Sequence, residues 1–128
     1  MRILLDTATF LWIVLGAKDL SSTAKEAHTD PANEVYLSAV SAWEISIKYS
    51  LGRLPLSEDP DRFITRQREA HMIEPLPLGE EAVFHLHRLP DLHRDPFDRM
   101  LVCQAIAEGL VLLTPDRQIA QYPVRTLW

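Results

Sequence analysis

The sequence has a single cysteine, four glycines, and only 13 Lys and Arg against 18 Asp and Glu. One thiol cannot close an internal disulfide. Cys103 lies inside an apolar helical pattern, so it reads as a buried hydrophobe and not as a nucleophile or metal ligand. Such sparing use of cysteine fits a reducing cytoplasm. The net charge of −5 excludes the broad basic surface of many nucleic-acid binders, so a phosphate-bearing substrate would have to be met by a local patch or by bound cations. Long hydrophobic runs are missing too. The longest uncharged stretch near the N-terminus, Thr7 to Ala17, falls short of the ~20 residues needed to span a bilayer, and Asp6 interrupts any signal-peptide pattern. No membrane association or export is expected. Repeats, low-complexity tracts and a Walker A loop are absent.

What is present is 47% hydrophobic residues in 128, enough for one globular domain spanning residues 1–128 with its own core. Arg2–Leu5 reads as a strand ending at Asp6, followed by a helix over Thr9–Leu15. Ser21, Ser22 and Thr23 offer a cap for a second helix to about His28, and Glu34–Ser38 a second strand. Val40, Trp43, Ile47 and Leu51 recur at helical spacing, predicting a helix from about Ser41 to Leu51 with Gly52 as its stop. Asp59-Pro60 opens a helix to about Ala70. Met72–Glu74 reads as a third strand and Gly79–Arg88 as a helix. A long helix follows from Asp95 to Gly109, then a buried strand over Leu110–Leu113, a short helix begun by Thr114-Pro115, and a last strand within Val124–Trp128. Apolar strands alternating with helices predict an α/β domain, its parallel sheet covered on both faces. Sites in such sheets form beyond the carboxyl ends of the strands.

The segment HRDPFDRML, residues 93–101, brings two carboxylates to the start of an apolar helix. Asp95 before Pro96 is the pattern of an N-cap with proline in the first turn. Asp98 is different, because Leu101, Val102 and Ala105 share its helical face and turn it inward. Glu44 shows the same anomaly. Lys48, four residues on, could pair with it on an exposed helix, yet Val40, Ile47 and Leu51 place it on the apolar stripe, where an acid needs a partner. Asp6 and Asp116 each follow a predicted strand and so fall at one edge of the sheet; an acid at Asp116 also suits a helix first turn, whereas Asp6 has less structural excuse. If Asp6, Glu44, Asp98 and Asp116 converge, two like charges ~5 Å apart repel by about 3 kcal/mol at an effective dielectric of ~20. Protons or cations must then neutralise them. Oxygen-only ligands suit Mg²⁺ or Mn²⁺, and carboxylate sites with open water positions serve metal-assisted phosphodiester hydrolysis.

The motifs LLDTATFLW, SAVSAWEISIK, HRDPFDRMLVCQA and LLTPDRQI, in that order and finishing at YPVRTLW, resemble the PIN-domain nucleases, specifically the VapC-type toxins of prokaryotic toxin-antitoxin pairs. The resemblance covers essentially the whole chain. It implies a three-layer α/β/α sandwich with a five-stranded parallel sheet, with Asp6, Glu44, Asp98 and, less firmly, Asp116 as acidic metal ligands. Thr7, Ser41 and Thr114 would be supporting hydroxyls. Many relatives carry His two residues after the first Asp, where this chain has Ala8. The resemblance further implies a Mg²⁺- or Mn²⁺-dependent endoribonuclease, a homodimer, an antitoxin partner encoded beside it, and operator DNA reached only indirectly through that antitoxin.

Two other functions compete. An aspartyl-nucleophile phosphatase would use an Asp after the first strand, but the familiar Asp-x-Asp pair is broken here by Ala8. A non-catalytic antitoxin-binding module would need the acids only as helix caps. Arg94, Arg99 and Arg117 are candidate RNA-phosphate contacts, although arginines beside acids more often form surface ion pairs. His85 and His87 fall on different sides of a helix, giving little support for zinc. His93 is expected at the surface or rim. Phe10, Trp12, Trp43 and Phe97 are expected to pack in the core before they stack on bases.

Overall fold

The computed structural model describes residues 1–128. Five strands, β1 (Arg2–Leu5), β2 (Glu34–Ser38), β3 (Glu74–Leu76), β4 (Val111–Leu113) and β5 (Thr126–Leu127), alternate with six helices. These are α1 (Thr7–Leu15), α2 (Ser22–Thr29), α3 (Ala39–Ser50), α4 (Pro60–His71), α5 (Glu80–His85) and α6 (Pro96–Glu108). All strand pairs are parallel, in the order β3-β2-β1-β4-β5.

The period-two geometry of a strand explains the layering. Ile3 and Leu5 join one core with Val35, Leu37, Leu113, Phe10, Ile13 and Phe63. Leu4 and Leu112, pointing the other way, join a second core with Leu101, Val102, Ala105 and Cys103. The sheet is thus buried on both faces, by α1, α2 and α4 on one side and by α5 and α6 on the other. α3 contributes Ile45 to the first core and Val40 to the second. The three-layer α/β/α arrangement is the one expected.

Several boundaries move for local reasons. α1 begins at Thr7, not Thr9, because Asp6 is extended (φ −77°, ψ 167°) and accepts from Thr9 N; Asp6 therefore has a stronger structural role, as an N-cap, than the sequence alone suggests. Ser38 caps α3 in the same way, accepting from Val40 N, so that helix starts at Ala39. β3 lies at Glu74–Leu76 and not at Met72–Glu74, since Met72 takes a left-handed conformation (φ 56°) that ends α4. The strand runs through Pro75, which is tolerable because β3 is an edge strand where a missing N–H costs no ladder bond. The helix predicted over Gly79–Arg88 ends at His85 and tightens into a 3-10 turn over Leu86–Arg88. Thr114-Pro115 starts no helix; a 3-10 turn forms later, at Ile119–Gln121.

The strand order reverses at β1. The chain steps outward through β2 and β3, then returns to lay β4 and β5 on β1's other side. The carboxyl ends of β1 and β4 frame that switch point, where open α/β sheets form their crevices. Because the strands are parallel, whatever follows β1, β2 and β4 lies at one edge. α6 runs back toward the start of β4, so its first turn lies there as well.

Candidate active site

At that edge, Asp6, Glu44, Asp98 and Asp116 line one cavity of about 170 Å³, together with Thr7, Ala8, Leu11 and Lys48. A larger cavity of about 340 Å³ opens between the ends of α2 and α4, but its one carboxylate is Asp30. Size alone does not mark the site; the gathering of acids does.

Asp6 is 6% exposed. Its Oδ1 accepts from Thr9 N at 2.8 Å and its Oδ2 from the Thr114 hydroxyl at 2.5 Å, tying the end of β1 to the end of β4. Burial pushes its carboxyl above the usual range; the bonds from Thr114 and Thr9 oppose this, while the charge of Asp116 adds to it. Glu44, 7% exposed, answers its inward placement with Lys48, whose Nζ lies 2.6 Å from Glu44 Oε2. Lys48 is half exposed, and no other basic side chain lines the cavity.

Asp98 sits in the first turn of α6, where Asp95 does the capping: Asp95 Oδ1 accepts from Phe97 N at 2.9 Å and Asp98 N at 3.1 Å. The Asp98 side chain is thereby free for another role. Burial pushes its carboxyl up to about 6, with help from the charges of Asp95, Asp116 and Asp6 and against a hydrogen bond from His93. Asp116 is fixed by a turn: its N–H donates to Thr114 Oγ1 at 3.1 Å, and its Oδ1 accepts from Gln118 N at 2.8 Å.

These acids feel one another's charge, yet no three of the chain's His, Cys, Asp or Glu side chains are grouped tightly enough to hold a metal ion on their own. A closed, all-protein cage of the zinc or calcium kind does not fit. An octahedral Mg²⁺ does, because it commonly keeps several waters and takes only one or two carboxylates plus substrate phosphate oxygens. The donor set is all oxygen, as a hard cation requires.

A match to the PIN domain spans residues 3–124. The chain belongs to the PIN domain family. No curated protein matches it in sequence. Among solved structures it is similar to VapBC2 from Rickettsia felis bound to a DNA fragment from its promoter, at 14% identity and TM-score 0.73, covering 99% of this chain and 98% of that one. DNA-bound VapBC from Salmonella typhimurium gives 19% identity and TM-score 0.68, with 99% and 97% coverage. VapBC-1 from nontypeable Haemophilus influenzae gives 17% and 0.65, with 99% and 97%. At such identities the likeness is one of fold.

Within this PIN domain the predicted supporting residues divide. Thr114 bonds Asp6 directly, whereas the hydroxyl of Thr7, a residue of the cavity lining, bonds that of buried Ser41 at 2.9 Å and joins α1 to α3. Arg94 and Arg117 are exposed and do not line the cavity. Arg99 is committed elsewhere: it donates to Pro90 O and to the Tyr122 hydroxyl, each at 2.9 Å. Among the aromatics, Phe10 is fully buried and Trp12 packs on Trp128, but Trp43 is 58% exposed and meets Phe97 edge-on across α3 and α6. The helical spacing that suggested core included exposed positions, since Leu51 is also 60% exposed.

His93 departs most from expectation. Its side chain is only 6% exposed, and its ring bonds both Tyr122 and Asp98. Sequence offered no local sign of this, because Tyr122 comes from a separate segment beyond β4.

Proposed function

We propose that this PIN domain is the toxin of a toxin-antitoxin pair, a VapC-type endoribonuclease that hydrolyses RNA with Mg²⁺ or Mn²⁺. The observation that carries the reading is the convergence of Asp6, Glu44, Asp98 and Asp116 on one cavity at the switch point of the sheet. Asp6 and Asp98 would hold the ion directly, with Asp116 and Glu44 reaching it through waters that the ion keeps. A divalent cation bound there supplies Lewis-acid charge toward a scissile phosphate and lowers the pKa of a water.

The chain's own residues do the rest. Thr114 and Thr9 N fix both oxygens of Asp6, and the Asp95 cap spares the Asp98 carboxylate from helix duty. Lys48 offsets the charge of Glu44, so the cleft is not wholly anionic when an RNA phosphate approaches. Attack by water in line with the leaving oxygen needs no 2′-hydroxyl and leaves 5′-phosphate and 3′-hydroxyl ends.

The structural neighbours are toxin-antitoxin complexes, two of them on DNA. Their likeness in fold supports an antitoxin partner; a homodimer, and contact with operator DNA only through the antitoxin, are part of the proposal. A cytoplasmic location fits this reading; no helix is long and apolar enough to cross a membrane.

The test is incubation with single-stranded RNA in MgCl₂ or MnCl₂. Cleavage is expected only with the metal, with fragments degraded by a 5′-phosphate-dependent exonuclease. Cleavage persisting in EDTA, with 2′,3′-cyclic phosphate ends, would overturn the proposal.

A further inference from the structure

Asp98 is the only acid of the cleft held by an imidazole, and the hydrogen-bond chain behind it runs in one direction. Tyr122, 3% exposed, has a hydroxyl with three polar contacts and a single proton to give. Arg99 Nη1 donates to it at 2.9 Å and His93 N at 3.2 Å. Neither of these groups can accept in return. The one phenolic proton must therefore go to His93 Nδ1, which lies 2.7 Å away. With Nδ1 accepting, a neutral His93 carries its proton on Nε2, the nitrogen 3.3 Å from Asp98 Oδ2. The tautomer is thus assigned by the network.

This chain controls one oxygen of Asp98 and leaves the other alone. No protein hydrogen bond reaches Oδ1, and no buried side-chain polar atom is left without a partner. Oδ1 is consequently solvent-accessible on a residue that lines the acidic cavity.

We infer that Tyr122 and His93 are positioning residues, which hold Asp98 Oδ2 with a fixed N–H donor so that Oδ1 is presented to a divalent ion. The inference rests on the metal-dependent reading above. It assigns no proton transfer to His93; the ring acts through Asp98 alone. Arg99 belongs to the same device, locking the Tyr122 hydroxyl from behind, which explains why this arginine turns away from the surface.

Mn²⁺ binding measured by electron paramagnetic resonance on the full chain separates positioning from mere packing. Tyr122→Phe keeps the buried ring and removes the hydroxyl, and His93→Leu keeps the bulk and removes the donor. Each is expected to weaken Mn²⁺ about tenfold or more, as loss of a partner to a metal ligand commonly does. His93→Gln, which can place an amide N–H near the Nε2 position, is expected to restore affinity to within about threefold of wild type. Variants whose melting temperature falls while Mn²⁺ affinity stays at the wild-type value would overturn the inference and leave the metal site standing. A wild-type protein that binds no Mn²⁺ would instead bring down the metal-dependent reading, and this inference with it.

Discussion

Asp6→Asn is expected to cut RNA cleavage by about a hundredfold to a thousandfold or more, the scale on which loss of one electrostatic catalytic group is felt, while the protein stays folded. The structure separates these effects. Asn is as good an N-cap as Asp, so the bond from Thr9 N survives, and the amide can still engage the Thr114 hydroxyl. Replacing a carboxylate whose ionisation is opposed by burial also removes a desolvation penalty. Thermal stability should therefore hold or rise as activity disappears. If Asp6 were only a cap, Asn would leave cleavage at the wild-type rate, whatever it does to stability. Circular dichroism melting beside a cleavage assay reads the two outcomes.

The second large effect concerns pH and metal together. Folding raises the Asp98 carboxyl from 3.8 to about 6, chiefly by burial. Between those values the folded chain keeps a proton that the unfolded chain has released. Stability from this group is therefore full below about pH 4 and is lost as pH rises to about 6. A shift of this size corresponds to no more than about 3 kcal/mol. The side chain is 21% exposed, so screening reduces the net cost to about 1–2 kcal/mol.

In EDTA, the melting temperature near pH 7 should rise by roughly 5 °C in Asp98→Asn, and the variant should lose the part of the pH 4–6 slope that Asp98 causes. Adding Mg²⁺ or Mn²⁺ should stabilise the wild type near pH 7, because binding to the folded state alone shifts the equilibrium. It should leave Asp98→Asn nearly unmoved. Differential scanning calorimetry across pH 4–8, with and without metal, measures all of these. Equal metal stabilisation in both proteins would show that Asp98 is no part of the cation site.

The sequence carried more of this site than of its supports. Glu44 and Asp98 were readable because helical spacing placed each on an apolar face, and a buried acid demands a reason. Asp6 and Asp116 were readable because both follow buried strands, and parallel strands deliver their ends to one edge. Asp95 as a cap was written in the Asp-Pro pair itself. The long apolar elements were legible for the same reason: β1, β2 and β4 are runs whose alternate residues enter two cores.

What stayed hidden depends on segments meeting through space. The Tyr122–His93–Asp98 chain joins a residue after β4 to a loop before α6, and no local pattern encodes it. Trp43 shows the converse: helical spacing reveals the helix but not which of its positions are buried. The edge strand β3 falls beyond Met72–Glu74 because it runs through Pro75, which an edge position tolerates. α1 starts two residues before the apolar run at Thr9, and the capping role of Asp6 follows from that earlier start.

Isothermal titration of Mn²⁺ into wild-type protein and into Asp6→Asn, Glu44→Gln, Asp98→Asn and Asp116→Asn is the most direct examination of the shared cation site. Saturable binding in the wild type, weakened by the Asp6 and Asp98 changes above all, is the predicted result. Wild-type affinity undiminished in every variant, or no saturable binding in any, would contradict it.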